Sequence, residues 1–335
     1  MSADMLRNEP ALVPLDAAEV YVLVDNVSDI ASSVPAGVTD EVPLLLKAGA
    51  KEFAGETLCC ACWGLSLLAT GRTGDRAHSL LFDGGPEAYA IDRNVSRLGV
   101  DLGRVEAVVL SHGHTDHAGG LIAALQHITQ ENGGRPVPVH VNPGMFEHRG
   151  EYNADGSVLP YKDVPNPAEL RQAGAHVVNE SGARLLLDDM FYLSGEIPRV
   201  TSYEKGVSGH LKQNADASGW EPDPWIKDER FVAVNVRNKG LIVFSACSHA
   251  GIVNVLMHAR ELFDPVPIYG VMGGLHLSGR AGEKIISQTV EDLRAFDPKL
   301  IVPGHCTGWR ATYALVDAFG DKVVVPSAVG RFHEF

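Results

Sequence analysis

Cysteine is scarce in this chain, with five residues in 335. Such a small, odd number excludes a disulfide scaffold and fits reduced thiols, so a cytoplasmic location is expected. Basic runs are missing as well. Lys and Arg number 28 against 42 Asp and Glu, a formal net charge of −14 with no basic stripe. Nucleic-acid binding depends on neutralising phosphates, so a nucleic-acid partner is not expected. No stretch approaches the roughly 20 apolar residues of a membrane span. The segment from Met1 to Pro14 contains acids and no apolar core, so neither a secretory signal nor a membrane partner is expected. What is present in quantity is apolar surface: 45% of residues are hydrophobic, enough for a large core.

Chemistry-bearing residues concentrate in Ser111-His112-Gly113-His114-Thr115-Asp116-His117. The preceding Val105–Leu110 is β-branched and apolar and reads as a buried strand. The following Ala118–Leu125 reads as a Gly turn opening a helix. Three imidazoles and one carboxylate thus crowd a strand-to-helix turn, and these are ligands for a borderline divalent metal. His112 and His114, two residues apart on extended chain, can point at one ion. Asp116 and His117, where the turn begins, can reach a second.

Along the rest of the chain, residues 1–18 read as a tail and 19–335 as one compact catalytic domain, because the motif pieces run from Asp83 to His305 and must converge. Glycine-, proline- and acid-rich stretches near 142–167 and 205–229 read as inserted loops. Strands are expected at 19–26, 58–69, 79–82, 137–141, 231–236, 241–246, 268–272 and 300–302, and helices at 88–98, 252–263, 283–296 and 311–319.

Four further segments carry a resemblance. They are Leu80-Leu81-Phe82-Asp83-Gly84-Gly85, Phe244-Ser245-Ala246-Cys247-Ser248-His249-Ala250-Gly251, Val271-Met272-Gly273-Gly274-Leu275-His276 and Val302-Pro303-Gly304-His305-Cys306-Thr307-Gly308. With the histidine motif they resemble the metallo-β-lactamase fold superfamily, in its dihydropteroate synthase-like branch, related to ribofuranosylaminobenzene 5′-phosphate synthase. The likeness runs from about Leu44 to the C-terminus. It departs from the branch at Trp63, where a His often precedes the Gly.

The resemblance implies an α/β fold, an αββα sandwich of two mixed β-sheets flanked by helices. It implies His305 as a further ligand of the second ion and Asp83 as a hydrogen-bond acceptor behind a ligand His. Cys247 stands near where much of the superfamily has a bridging Asp. It is either a ligand of the second ion or a small buried apolar residue. The third ligand of the first ion is His249, with His210 and His276 as alternatives; His276 is otherwise a polar group facing substrate.

The function expected is a binuclear metal-dependent hydrolase of a small metabolite. Its cofactors would be two divalent ions, Zn2+ first and Mn2+ or Fe2+ second, with a bridging hydroxide as nucleophile oriented by Asp116. The alternatives are a pterin/ribosyl-phosphate condensing synthase on the same metal site and a non-catalytic ligand-binding sensor. A di-iron oxidoreductase fits less, since His114 stands where such relatives usually have Glu.

Overall fold

The structure is a computed structural model and describes residues 10–335. The signal-peptide and tail expectations for residues 1–9 lie outside the described residues. Residues 10–18 are not a tail: Pro14–Leu15 pairs in parallel with Asn235 and Val236, and Ala17 opens a strand.

Two large sheets face each other. One has eight strands, in the order Ala175–Asn179, Val137–Val141, Val105–Val109, Arg76–Phe82, Ser66–Thr73, Ala17–Val24, Phe332–Glu334, Val38–Thr39. The other has seven, in the order Arg184–Leu186, Phe191–Leu193, Phe231–Val236, Gly240–Ser245, Ile268–Gly274, Leu300–Gly304, with Pro14–Leu15 beside Phe231–Val236. Both mix parallel and antiparallel pairs.

The layers follow from where the apolar side chains go. Val20, Val22, Leu67, Leu80 and Phe82 of one sheet meet Val232, Ile242, Phe244, Met272 and Val302 of the other in a dry central layer. The opposite face of the eight-stranded sheet is covered by the helices Ala88–Leu98 and Leu121–Glu131. That of the seven-stranded sheet is covered by Ile252–Phe263, Ile286–Arg294 and Trp309–Phe319. This is the αββα sandwich. Each helix buries one stripe: in Ala88–Leu98 the buried residues are Ala90, Ile91, Asn94, Val95 and Leu98. That helix stops at Gly99, whose φ of 61° is the left-handed cap an L side chain resists.

Two expectations need correction. The strand expected over 58–69 begins only at Ser66. Upstream, the amides of Cys59 and Cys60 bond to the side chains of Glu41 and Asn94, which replace a ladder. The two inserted stretches are not loops either. Arg149–Tyr152 and Val158–Pro160 from the first pair with His210–Gln213 and Trp220–Pro222 from the second, forming a four-stranded sheet. Neither segment has the apolar run of a core strand, so the signal was weak, but their pairing places His210 opposite Glu151. Among the described residues no helix is long and apolar enough to cross a membrane.

His333, on the strand pairing with Ala17–Val24, is fully buried and neither ring nitrogen has a hydrogen-bond partner. Burial, then the charge of Arg331, pushes its pKa down to about 4. An unfolded His titrates near 6.5. A depressed folded value gives stability that is complete above about pH 6.5 and lost as pH falls toward 4. The melting temperature should drop across that window. His333→Phe should flatten the slope, by at most about 3 kcal/mol between its ends. An unchanged slope in thermal melts of the variant would remove His333 as the cause.

Candidate metal centre

The site lies at one end of the sandwich, where strands of both large sheets terminate. Val105–Val109 delivers the histidine motif, and Arg76–Phe82 delivers Asp83. The strands Gly240–Ser245, Ile268–Gly274 and Leu300–Gly304, parallel neighbours in the second sheet, deliver Cys247 and His249, His276, and His305. Four of these turns put a non-glycine residue in left-handed backbone: Asp83 (φ 63°), Ser248 (54°), His276 (49°) and His305 (45°). Such conformations cost of order 1–3 kcal/mol each and persist where surrounding contacts fix them.

Asp83 is fully buried and organises the motif. Its Oδ1 accepts the Ser111 amide at 2.7 Å, and its Oδ2 accepts Ser111 Oγ at 2.8 Å and His117 Nδ1 at 2.8 Å. Because Ser111 Oγ spends its proton on Asp83, it accepts from His112 Nδ1 at 2.9 Å. Both Nδ1 atoms are thereby donors, and the Nε2 lone pair of His112 is left free. Burial lowers the His117 pKa, but Asp116 and Asp83 outweigh it and raise it to about 9, so its Nε2 carries a proton that a bound ion would displace. His210 is set the same way by donating Nδ1 to the Asp223 carbonyl at 2.7 Å. Gly113 lets the turn close, since a Cβ there would lie 2.3 Å from the Met145 carbonyl oxygen. Its amide donates to Asp228, which Arg149 holds in a buried ion pair.

The free nitrogens converge. His112 Nε2 lies 3.1 Å from His249 Nε2 and 3.0 Å from His114 Nδ1, and His114 Nε2 lies 2.9 Å from His210 Nε2. Nitrogens sharing a tetrahedral zinc at 2.0–2.1 Å sit about 3.3 Å apart. Burial first, and neighbouring imidazoles next, push the pKa of His112 and His249 well below the ordinary value. For His114 burial also dominates, against the opposing pull of Asp116. These rings are neutral at pH 7, with lone pairs aimed at one another.

A second cluster lies beside the first. His117 Nε2 and both nitrogens of His305 are buried without a hydrogen-bond partner. Asp116 Oδ2 is 3.8 Å from His117 Nε2 and 3.4 Å from His305 Nε2. Burial raises the Asp116 pKa, but His117, His305 and His114 outweigh it and hold the carboxyl well below its usual range. Cys247 belongs to both clusters: its Sγ with the His112 and His249 nitrogens, and with the His117 and His305 nitrogens, forms sets whose atoms all lie within 4.8 Å of one another. Orphaned buried nitrogens and this donor chemistry fit two divalent ions. His112 and His249 would hold one, with His114 and His210 adjoining. His117, His305 and Asp116 would hold the other, and Cys247 stands between them.

The structure also places residues that the sequence reading passed over. The fully buried Glu229 accepts the amides of His249 and Ala250, both at 2.7 Å, and so fixes the turn carrying His249. Burial raises its pKa to about 7 against those two bonds. Asp25 accepts the His305 amide. Trp63, 56% exposed, lays its ring 5.0 Å from that of His305. Only the acidic run Asp228-Glu229 was visible as a signal, with nothing to link it to the motif. A cavity of about 510 Å3 opens beside His249 and His276 and is bordered by Lys205, Ser208, Ser248 and Arg280.

This sandwich with histidines at its strand ends is the metallo-β-lactamase fold, and the model of the metallo-β-lactamase superfamily matches residues 71–192 of the chain. More particularly, it is similar to the 7,8-dihydropterin-6-methyl-4-(β-D-ribofuranosyl)-aminobenzene-5′-phosphate synthase of Methanocaldococcus jannaschii, with 28% identity over 76% of this chain and 84% of that protein. An uncharacterized protein of the same organism is 28% identical over 69% of this chain and 80% of its own length. Among solved structures, Tm1679, described as a metal-dependent hydrolase of the β-lactamase superfamily, superposes with a TM-score of 0.67 at 21% identity, covering 95% of this chain and 98% of that one.

If Asp83 sets the tautomers of His112 and His117, Asp83→Ala should weaken zinc binding about 10–100-fold in chelator competition. An unchanged affinity with a lowered melting temperature would reduce Asp83 to a turn residue.

Proposed function

We propose that the protein is a binuclear metal-dependent hydrolase acting on a small anionic metabolite. The observation that carries this reading is the pair of adjacent donor clusters sharing Cys247, one of them including the partly exposed Asp116. Two divalent ions held there would lower the pKa of water toward neutrality and polarise the bond to be broken. The chain's own groups do the rest. Asp116, held ionised by three imidazoles, is too weak a base to carry a proton at neutral pH. Its carboxylate instead accepts a hydrogen bond and orients the attacking group. The cavity beside His249 and His276 has the volume of a small-metabolite site. Lys205 and Arg280 share its border with Glu151 and Glu204, so the attraction for an anion would come chiefly from the two ions.

A second reading is a condensing synthase joining a pterin to a ribosyl-phosphate compound on the same site. It is favoured by the 28% identity to the Methanocaldococcus synthase over 84% of its length. Both readings use the same donor clusters and differ in whether water or a second substrate attacks.

Elemental analysis of the purified protein should give two divalent ions per chain, zinc foremost. A panel of lactone, thioester, phosphodiester and β-lactam substrates should show turnover that chelator abolishes. The same preparation should be offered a pterin with a ribosylaminobenzene phosphate. Condensation without hydrolysis would favour the synthase, and two tightly held ions with neither activity would sink both. Asp116→Asn should cost about 100-fold or more in kcat if the carboxylate orients the nucleophile. A change confined to KM would place Asp116 in binding alone.

A further inference from the structure

Cys306 adjoins the centre and has no part in the reading above. Its Sγ lies 3.1 Å from Cys247 Sγ, and Cys247 Sγ lies 3.6 Å from His276 Nδ1. The donor atoms of Cys247, His276 and Cys306 all fall within 4.8 Å of one another. Both thiols are buried and free of disulfides.

Backbone features bring the three together. Cys247, His276 and Cys306 follow three strands that are side-by-side parallel neighbours in the seven-stranded sheet. Gly274 leaves room for the sulfur, because a Cβ there would lie 2.6 Å from Cys306 Sγ. Thr307 Oγ1 accepts the Leu275 amide at 3.0 Å and ties the turn after Cys306 to the turn carrying His276. Left-handed backbone at His276 and His305 aims the flanking imidazoles at the same end of the sheet. Hydrogen bonds hold the two sulfurs at one point beside His276: Cys247 Sγ donates to Cys306 Sγ, and Cys306 Sγ donates to the Cys247 carbonyl at 3.3 Å.

We propose that Cys247, Cys306 and His276 form a thiolate-rich position for a thiophilic divalent ion, joined to the imidazole-lined positions through the Cys247 sulfur. This rests on the reading of the site as a metal centre and adds a third position to it, one that fills when metal is in excess over the two ions of the isolated protein. Two thiolates on a tetrahedral ion at about 2.3 Å would stand about 3.8 Å apart, so the pair opens by about 0.7 Å when loaded. Each thiol gives its proton to solvent as it takes the ion, and no electron changes hands. Sulfur ligation selects zinc or cadmium over manganese or magnesium.

Cadmium reports thiolate ligation directly, through sulfur-to-metal charge-transfer absorption in the ultraviolet. The full-length protein is isolated under reductant, stripped with chelator and titrated with Cd2+. Wild type should show the absorption of two thiolates. Cys306→Ser and, as a packing control, Cys306→Ala should each show about half, one sulfur of the two remaining. His276→Ala should keep the two-thiolate band and bind Cd2+ about tenfold or more weakly, having lost one ligand. In wild type, bound Cd2+ should protect Cys306 from alkylation. An undiminished band in both Cys306 variants, equal alkylation with and without Cd2+, or unchanged affinity in His276→Ala would overturn the proposal. A one-thiolate band that persists with Cd2+ in excess over two ions would overturn it alone. A protein that takes up no ion would overturn the metal reading with it.

Discussion

One fully buried carboxylate, Asp83, holds the motif in its working form. It accepts the backbone amide and hydroxyl of Ser111 and the Nδ1 of His117. These three bonds replace the water that a buried charge loses. They also give the Nδ1 atoms of His112 and His117 their acceptors, and so turn both Nε2 atoms toward the centre. A histidine motif on a flexible turn would offer either tautomer. Behind this one stands a carboxylate locked between two sheet strands, held in left-handed backbone by the ladder on one side and Gly84-Gly85 on the other.

The same logic recurs around the site. Glu229 fixes the His249 turn through two amides, Asp228 fixes Gly113, and Asp25 holds the His305 amide. Four buried or half-buried acids thus face backbone or ring N–H groups while the imidazoles face inward. Acids behind the rings and imidazole nitrogens with one carboxylate in front are what a cation at the centre requires, since each outer partner orients and strengthens the donor it holds. Burial enforces the neutrality of His112, His114 and His249 independently of any ion.

Around this centre the fold divides its labour. Both large sheets contribute strand ends, so the central apolar layer between them sets the distance between the motif and Cys247, His249 and His305. The four-stranded sheet built from two separate stretches supplies His210 and sits against the motif through Arg149. Strand-end residues are rigidly placed yet open to solvent on one side, which explains how a buried donor cluster can adjoin a cavity of about 510 Å3.

Local features follow from the order of residues alone. Apolar periodicity gave the helices Ala88–Leu98 and Ile252–Phe263 and the strand Val137–Val141 at their observed limits. Spacing in one turn put His112, His114, Asp116 and His117 forward as donors, because all four lie within seven residues. The tertiary structure decided whatever depends on distant segments meeting. Cys247 lies between both clusters although its neighbours in sequence mark only a strand end. Cys306 reaches Cys247 across 59 residues, which parallel pairing makes adjacent and no local pattern encodes. The strands of the small sheet were invisible for the same reason. Their stability comes from pairing between stretches some sixty residues apart and not from apolar runs of their own. Composition and periodicity record what each segment buries, whereas a ligand set records which segments the sheets bring side by side.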